Sequence, residues 1–187
     1  VQDFIKAGYS LRHKSKDGAS LLFYAVVNPK PEIFEWLLSQ GLDPQERSAQ
    51  DETLLMAAAS VGQPASIQRL IDLGLDVNRR DRFGRTALMI AAYNGQPQAM
   101  QTLLKARARL DVADMDGNTP LHSAAAGGQR DMLQLLLQRG VQINAEDKKG
   151  RSPLIVAMMS GKWDAAHFLL GRGARLTTSK LSAEQIA

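Results

Sequence analysis

The sequence predicts an all-α solenoid of stacked helix–turn–helix units, and three observations carry that prediction. The first is a register of 33 residues. A turn residue recurs as Gly18, Asp51, Gly84, Gly117 and Gly150, followed two places on by a hydroxyl: Ser20, Thr53, Thr86, Thr119 and Ser152. The same step relates Leu22, Leu55, Leu88, Leu121 and Leu154, and then Ala25, Ala58, Ala91, Ala124 and Ala157. The second is a closing register, Gly8, Gly41, Gly74, Arg107, Gly140 and Gly173, where a second helix stops. The third is composition: aromatic residues are only 5% of the chain, while Leu and Ala hold the periodic positions, as suits thin helices packed closely. A fixed period of this length means that each unit buries its apolar face against its neighbours.

A chain of 187 residues therefore forms one elongated stack instead of one or two globular domains. The net charge of +4 speaks about partners only if it is localised. The absence of cysteine excludes disulfides and thiolate metal sites. No apolar run approaches the roughly 20 residues that span a bilayer, and the first residues do not read as a signal peptide.

Residues 1–14 read as the end of a truncated unit, because Phe4-Ile5-Lys6-Ala7-Gly8 is in phase with Leu37-Leu38-Ser39-Gln40-Gly41. The start at Val1 is then the mark of trimming or processing, with any targeting segment lying upstream. The predicted units are 15–47, 48–80, 81–113, 114–146 and 147–179, with a cap over 180–187. In the first, Asn28-Pro29-Lys30-Pro31 replaces the glycine turn between the helices, and Pro31, Pro64 and Pro97 share a phase that fits the first position of a second helix. Ile33, Phe34, Leu37 and Leu38 make one core-facing stripe, with Trp36 half-buried between them. In the second, Asp51 stands for the turn glycine and tolerates the left-handed backbone better than most residues. In the third, Arg107 stands at the closing glycine, where either a left-handed backbone costs a non-glycine residue about 1–2 kcal/mol or the turn has a different shape. The fourth is the most regular. The fifth is regular to Gly173, and Ser182 and Gln185 then have capping-box spacing for a short closing helix.

Gly-Asn-Thr-Pro-Leu-His at 117–122, Gly-Arg-Thr-Ala-Leu-Met at 84–89 and Gly-Arg-Ser-Pro-Leu-Ile at 150–155 resemble the ankyrin-repeat family, as do Leu-Gly-Leu-Asp-Val-Asn at 73–78 and Arg-Gly-Val-Gln-Ile-Asn at 139–144. The resemblance covers essentially the whole chain. It implies an ankyrin-repeat solenoid with turns projecting from one edge, and a concave face of turns and first helices that binds another protein. It also implies that His122 is structural, tying neighbouring turns together. His13 and His167 have no acidic or histidine partner at a useful spacing and are expected in solvent.

Signals for catalysis fail. There is no Gly-x-Ser-x-Gly elbow, no His-Glu-x-x-His pair and no phosphate loop. Asp114-Met115-Asp116-Gly117-Asn118 resembles the start of a calcium loop, but the glycine comes two places early and Ala125 stands where a bidentate Glu belongs. Asp81, Asp114 and Asp147 share one phase, hence one structural job. No metal, cofactor or catalytic residue is assigned.

The partner is sought among positions the repeat leaves free: Arg80, Arg82, Phe83, Arg85, Tyr93 and Asn94, then Met115, Asp116 and Asn118, then Lys148, Lys149, Arg151 and Met159. Phe83 and Tyr93, among three arginines, have the composition of a binding hot spot. Across all such positions nine basic residues face Asp17, Glu52, Asp116 and Glu146, an excess of five that favours a protein partner with an acidic or mixed surface. The expected function is a non-catalytic binding module, used to inhibit an enzyme or hold it in place, working as a monomer. The alternatives are a nucleic-acid or polyanion binder through the basic edge, for which the charge is thin, and a structural segment of a longer solenoid. The compartment is open: cytoplasmic, or periplasmic or secreted if an upstream targeting segment is removed.

Overall fold

The computed structural model describes residues 10–176, so Phe4–Gly8 and the expected cap over 180–187 lie outside the described residues. Ten helices and no strand occur among the described residues, arranged as five pairs. The first helices are α1 (Leu21–Val26), α3 (Leu54–Val61), α5 (Ala87–Tyr93), α7 (Pro120–Gly127) and α9 (Pro153–Met159). The second helices are α2 (Pro31–Ser39), α4 (Pro64–Asp72), α6 (Pro97–Lys105), α8 (Arg130–Gln138) and α10 (Trp163–Gly171). Each first helix packs on its own second helix and on the first helices before and after it.

The hydroxyl phase starts the first helices. Thr53 Oγ1 accepts from the Met56 amide at 3.3 Å, Thr86 Oγ1 from Met89 at 3.4 Å and Ser152 Oγ from Ile155 at 3.5 Å, filling donors that a helix start leaves open. Ser20 departs from this: among the described residues its buried hydroxyl has no hydrogen-bond partner, in the least regular repeat. Proline opens α2, α4 and α6 at Pro31, Pro64 and Pro97, where its missing N–H removes nothing.

The leucine and alanine phases are the core. Leu22, Leu55, Leu88, Leu121 and Leu154 are all buried, and so are Ala25, Ala58, Ala91, Ala124 and Ala157. Small alanines bring successive first helices close, and the leucines fill the space between them, so the core is a thin sheet of apolar contacts running the length of the stack. Asp51 and Arg107 both take the left-handed backbone, at φ 61° and 63°, so the turns keep one shape and these two residues carry the strain.

The turns are coupled to each other by a ladder of single backbone hydrogen bonds with the period of the repeat. The amide of Ala49 donates to Asp17 O at 2.9 Å, Arg82 to Gln50 O at 3.0 Å, Met115 to Phe83 O at 2.9 Å and Lys148 to Asp116 O at 2.9 Å. Loops at the other end are joined by Asn78, whose Oδ1 accepts from the Arg109 amide at 2.8 Å, and by Asn144, which accepts from Arg175 at 2.9 Å. These contacts fix the turns relative to the first helices, which is what places the groove described next.

Candidate functional site: a groove across repeats two to five

Each turn closes on a side chain at one phase. Asp81 Oδ1 accepts from the amides of Phe83 (2.9 Å) and Arg85 (2.8 Å). Asp114 accepts in the same way from Asp116 and Asn118, and Asp147 from Lys149 and Arg151. Ser48 does this work in repeat two with its hydroxyl. The shared phase of the aspartates therefore is one structural job, and the carboxylate of Asp114 is occupied within its own turn. Burial alone would raise the Asp147 pKa. The Arg151 amide and guanidinium and the Lys149 amide outweigh it and hold the carboxyl below its ordinary value.

The fourth residue after that aspartate closes the turn from outside. Arg85 Nε donates to Asp81 Oδ2 at 2.6 Å, Arg151 Nε to Asp147 Oδ2 at 2.7 Å, and Asn118 Nδ2 to Asp114 Oδ2 at 3.0 Å. Arg85 also reaches Glu52 of the preceding repeat at 3.3 Å. Arg80, at the end of repeat two, donates to Gly84 O at 3.0 Å and to Ala113 O at 2.7 Å, at the start and the end of repeat three. Arg80, Arg85, Asn118 and Arg151 are thus not left free by the repeat, as the sequence suggests. They brace turns, because a turn with several inward amides and carbonyls recruits any donor or acceptor within reach.

His122 lies one turn into α7 and is buried. Its Nδ1 accepts from the Thr119 amide at 3.1 Å and lies 2.9 Å from Thr119 Oγ1, which puts the proton on Nε2, 2.9 Å from Arg151 O of the next repeat. Burial, its main influence, pushes the imidazole below its ordinary pKa of 6.5, so at neutral pH it is an uncharged link between turns.

A groove of about 670 Å³ runs over these first helices and crosses repeats two to five. One rim is the turn row Glu52, Arg85, Asn118 and Arg151. The floor comes from the first helices: Met56, Ala57, Met89, Ile90, His122, Ser123 and Val156. The far rim is the row of helix ends, Ser60, Tyr93, Asn94 and Ala126. A floor that is mostly apolar, His122 and Ser123 apart, between rims that carry polar side chains is the usual make-up of a recognition surface. The methionines add a floor that adapts its shape to what it meets.

Of the thirteen residues selected from sequence, Arg85, Tyr93, Asn94, Asn118 and Arg151 line this groove. The rest do not. Phe83, 44% exposed, sits at the turn tip with the guanidinium groups of Arg82 and Arg85 at 4.9 and 5.0 Å from its ring centroid. Arg82, Met115, Asp116, Lys148 and Lys149 are exposed along the same row of tips, and Met159 is exposed at the end of α9, in phase with Tyr93. Phe83 and Tyr93 are therefore not one patch. Arg85 is the link, touching the Phe83 ring while lining the groove beside Tyr93.

The floor was missed. The phase Tyr24, Ala57, Ile90, Ser123 and Val156 varies freely in size and polarity between the fixed leucine and alanine phases, and that variation is the signal that marks it. The basic excess also changes. Lys14–Glu46 (3.4 Å), Arg47–Asp51 (3.5 Å), Arg85–Asp81 and Arg151–Asp147 are ion pairs, and their carboxylates were outside the sequence count. Counting the phases of these carboxylates adds Glu46, Asp51, Asp81, Asp114 and Asp147 against Arg79, which lowers the excess from five to one.

A protein that stacks five such helix pairs, with a turn ladder on one edge and a groove over the first helices, is a repeat solenoid of the recognition type. The family model for ankyrin repeats (3 copies) matches residues 1–81, 22–114, 55–147 and 88–180, and the chain belongs to the ankyrin-repeat family. Repeats of this family are generally protein–protein interaction modules and typically non-catalytic. No curated protein sequence gives a match to the chain.

Proposed function

We propose that this chain is a non-catalytic protein-binding module that holds a protein partner along the concave groove of repeats two to five, with Tyr93 and the Met89–Ile90 floor as its centre. The observation that carries this reading is the groove itself: continuous across four repeats, mostly apolar at the floor, and bordered by an aromatic ring 52% exposed that the scaffold does not need. Ala126 fills the same phase as Tyr93 one repeat on, so the ring is an addition to the fold. Aromatic anchors at the centre of a desolvated patch carry most of the energy of protein recognition.

The rims suit a partner of mixed charge, because the groove lining holds Glu52 and Asp114 as well as Arg85 and Arg151. Internal pairing of the turn cations takes support away from the polyanion reading. A rigid curved surface of this kind serves to cover an enzyme's active site or to hold an enzyme in place, and we propose that use for it.

The test exchanges groove residues for those that the scaffold carries elsewhere at the same phase: Tyr93→Ala, as at Ala126, and Ile90→Ser, as at Ser123. Immobilised wild-type chain is expected to enrich one protein from source-cell lysate that the double variant loses, while both are folded at the temperature of the assay, the variant melting lower because Ile90 packs against the core. Equal capture by the two would place recognition on another surface.

A further inference from the structure

We propose a second docking site, on the outer face of the last two repeats, for a carboxylate-bearing segment of a protein partner, gripped by Arg130 and Arg172 across the ring of Phe168. The Arg172 guanidinium lies 4.6 Å from the ring centroid, and that of Arg130, from the preceding repeat, lies 5.3 Å away. A cleft between α8 and α10 brings both guanidinium groups together with Asp164 and His167. Among the described residues neither guanidinium has a carboxylate or carbonyl partner, unlike those of Arg69, Arg80, Arg85, Arg109 and Arg151. Contact with the ring holds each guanidinium near Phe168 and uses none of its N–H groups, which stay available to a planar acceptor.

The same outer face shows at its other end what such a fork takes. Arg69 on α4 reaches Glu35 on α2 with two hydrogen bonds, 2.7 and 3.0 Å. One to three repeats on, the phase of Glu35 becomes Gln68, Gln101 and Gln134 and finally His167, while that of Arg69 becomes Thr102, Leu135 and Phe168. In the last two repeats guanidinium groups are present, the Glu35 phase holds no carboxylate, and Asp164 lines the cleft without an ion pair to either arginine. A glutamate or aspartate side chain from outside completes the arrangement, since the fork matches a carboxylate in two parallel bonds. Asp164 in the cleft lowers the local positive excess, which suits a singly charged carboxylate and works against a dianionic phosphate.

Trp163 supplies the apolar part of the surface. It is 63% exposed at the start of α10, where the other repeats have Pro31, Pro64, Pro97 and Arg130, so the scaffold has no use for the ring. It stands one helical turn from His167, and exposed tryptophan beside arginine is the composition of an interface anchor. This face is built from second helices, whereas the groove is built from first helices and turns. Both can be filled at once, and the inference does not rest on the groove reading.

The experiment is a titration of the isotope-labelled full chain with an acetylated, amidated hexaglutamate peptide at near-physiological salt, read by magnetic resonance at the arginine Nε–H and tryptophan indole signals. Saturable shifts are expected at Arg130, Arg172 and Trp163, with affinity falling at least about tenfold in Arg130→Gln/Arg172→Gln, the loss of one charge-assisted hydrogen bond or more, and unchanged in Tyr93→Ala. Arg130→Lys/Arg172→Lys, which keeps the charge and loses the fork, is expected to weaken binding as well. Shifts spread evenly over exposed Arg79, Arg107 and Arg139, full affinity in either double variant, or tighter binding of inorganic phosphate, a DNA oligonucleotide or anionic vesicles at this cluster would each overturn the proposal.

Discussion

His122 has Phe23, Met56, Met89 and Ile155 at its phase in the other repeats, so at this phase an imidazole links turns at the junction of repeats four and five alone. Its Nδ1 accepts an amide proton, and a second proton there would set two donors face to face inside a buried site. The charged groups nearest to it are Asp147, Arg151 and Asp114, and burial outweighs them. Because the folded pKa is depressed below the unfolded value of about 6.5, the unfolded chain takes up more protons as pH falls. The contribution of His122 is therefore complete above that value and is lost progressively below it. His122→Met uses the side chain already present at Met56, whose sulfur accepts the Thr53 amide at 3.5 Å. Denaturant midpoints are expected to fall between pH 7.5 and pH 5 more for the wild type than for this variant, and a parallel fall would remove the imidazole from the account. Asp147, with its lowered pKa, acts in a separate window: its stabilisation is present above about 4 and is lost as pH falls through the lower folded value. At Arg107 the left-handed backbone makes a different prediction. Arg107→Gly relieves about 1–2 kcal/mol of strain and loses about 0.5–1 kcal/mol to unfolded-chain entropy, so a small net gain in unfolding free energy is expected.

At the scale of the element, the turn is the unit that decides geometry. Gly117 has φ 87°, and a Cβ built on it would meet the backbone nitrogen of Lys148 at 2.7 Å, the atom that donates to Asp116 O in the ladder. Gly140, at φ 78°, has open space around such a Cβ. Gly117→Ala is therefore expected to cost more than Gly140→Ala, which bears only the backbone term of about 1–2 kcal/mol; equal losses in equilibrium unfolding would show that the ladder is not a structural constraint. Much of this level was legible. The hydroxyl starts, the prolines at the heads of α2, α4 and α6, the common role of Asp81, Asp114 and Asp147, and the turn shape at Asp51 follow from local backbone chemistry that sequence displays directly, whereas the turn at Arg107 was open between two shapes until its φ of 63° was seen. What Arg80, Arg85, Asn118 and Arg151 do was not legible, because their partners are carbonyls and carboxylates whose positions depend on how turns are aimed. Periodicity shows which positions vary, and only the three-dimensional turn shows which of the varying ones are occupied.

For the whole molecule, periodicity was enough to fix the stack, since every unit must bury the same leucine and alanine phases against its neighbours. The groove was half legible. Its rims belong to turns and helix ends, which the family resemblance marks as the recognition side. Its floor lies on the phase of Ala57, Ile90, Ser123 and Val156, which is adjacent in sequence to the fixed leucine and alanine phases and was not singled out among the variable positions. The charge of the edge was misjudged for a related reason: carboxylates treated as scaffold neutralise the arginines they brace. The corrected surface is one of shape and apolar contact more than of charge. Recognition by the groove is accordingly expected to survive a rise from low to moderate salt with little loss of affinity, where a polyanion site would weaken steeply.

The most direct test of the central claim is site-specific photocrosslinking in source-cell lysate, with a photoreactive phenylalanine placed at Tyr93 in one protein and at Gln101, on the outer face, in another. The account predicts that the Tyr93 probe gives an adduct with one protein that the Gln101 probe does not give, and that unlabelled wild type competes it away. Adducts of the same protein from Gln101 alone, or no competable adduct from Tyr93, would contradict it.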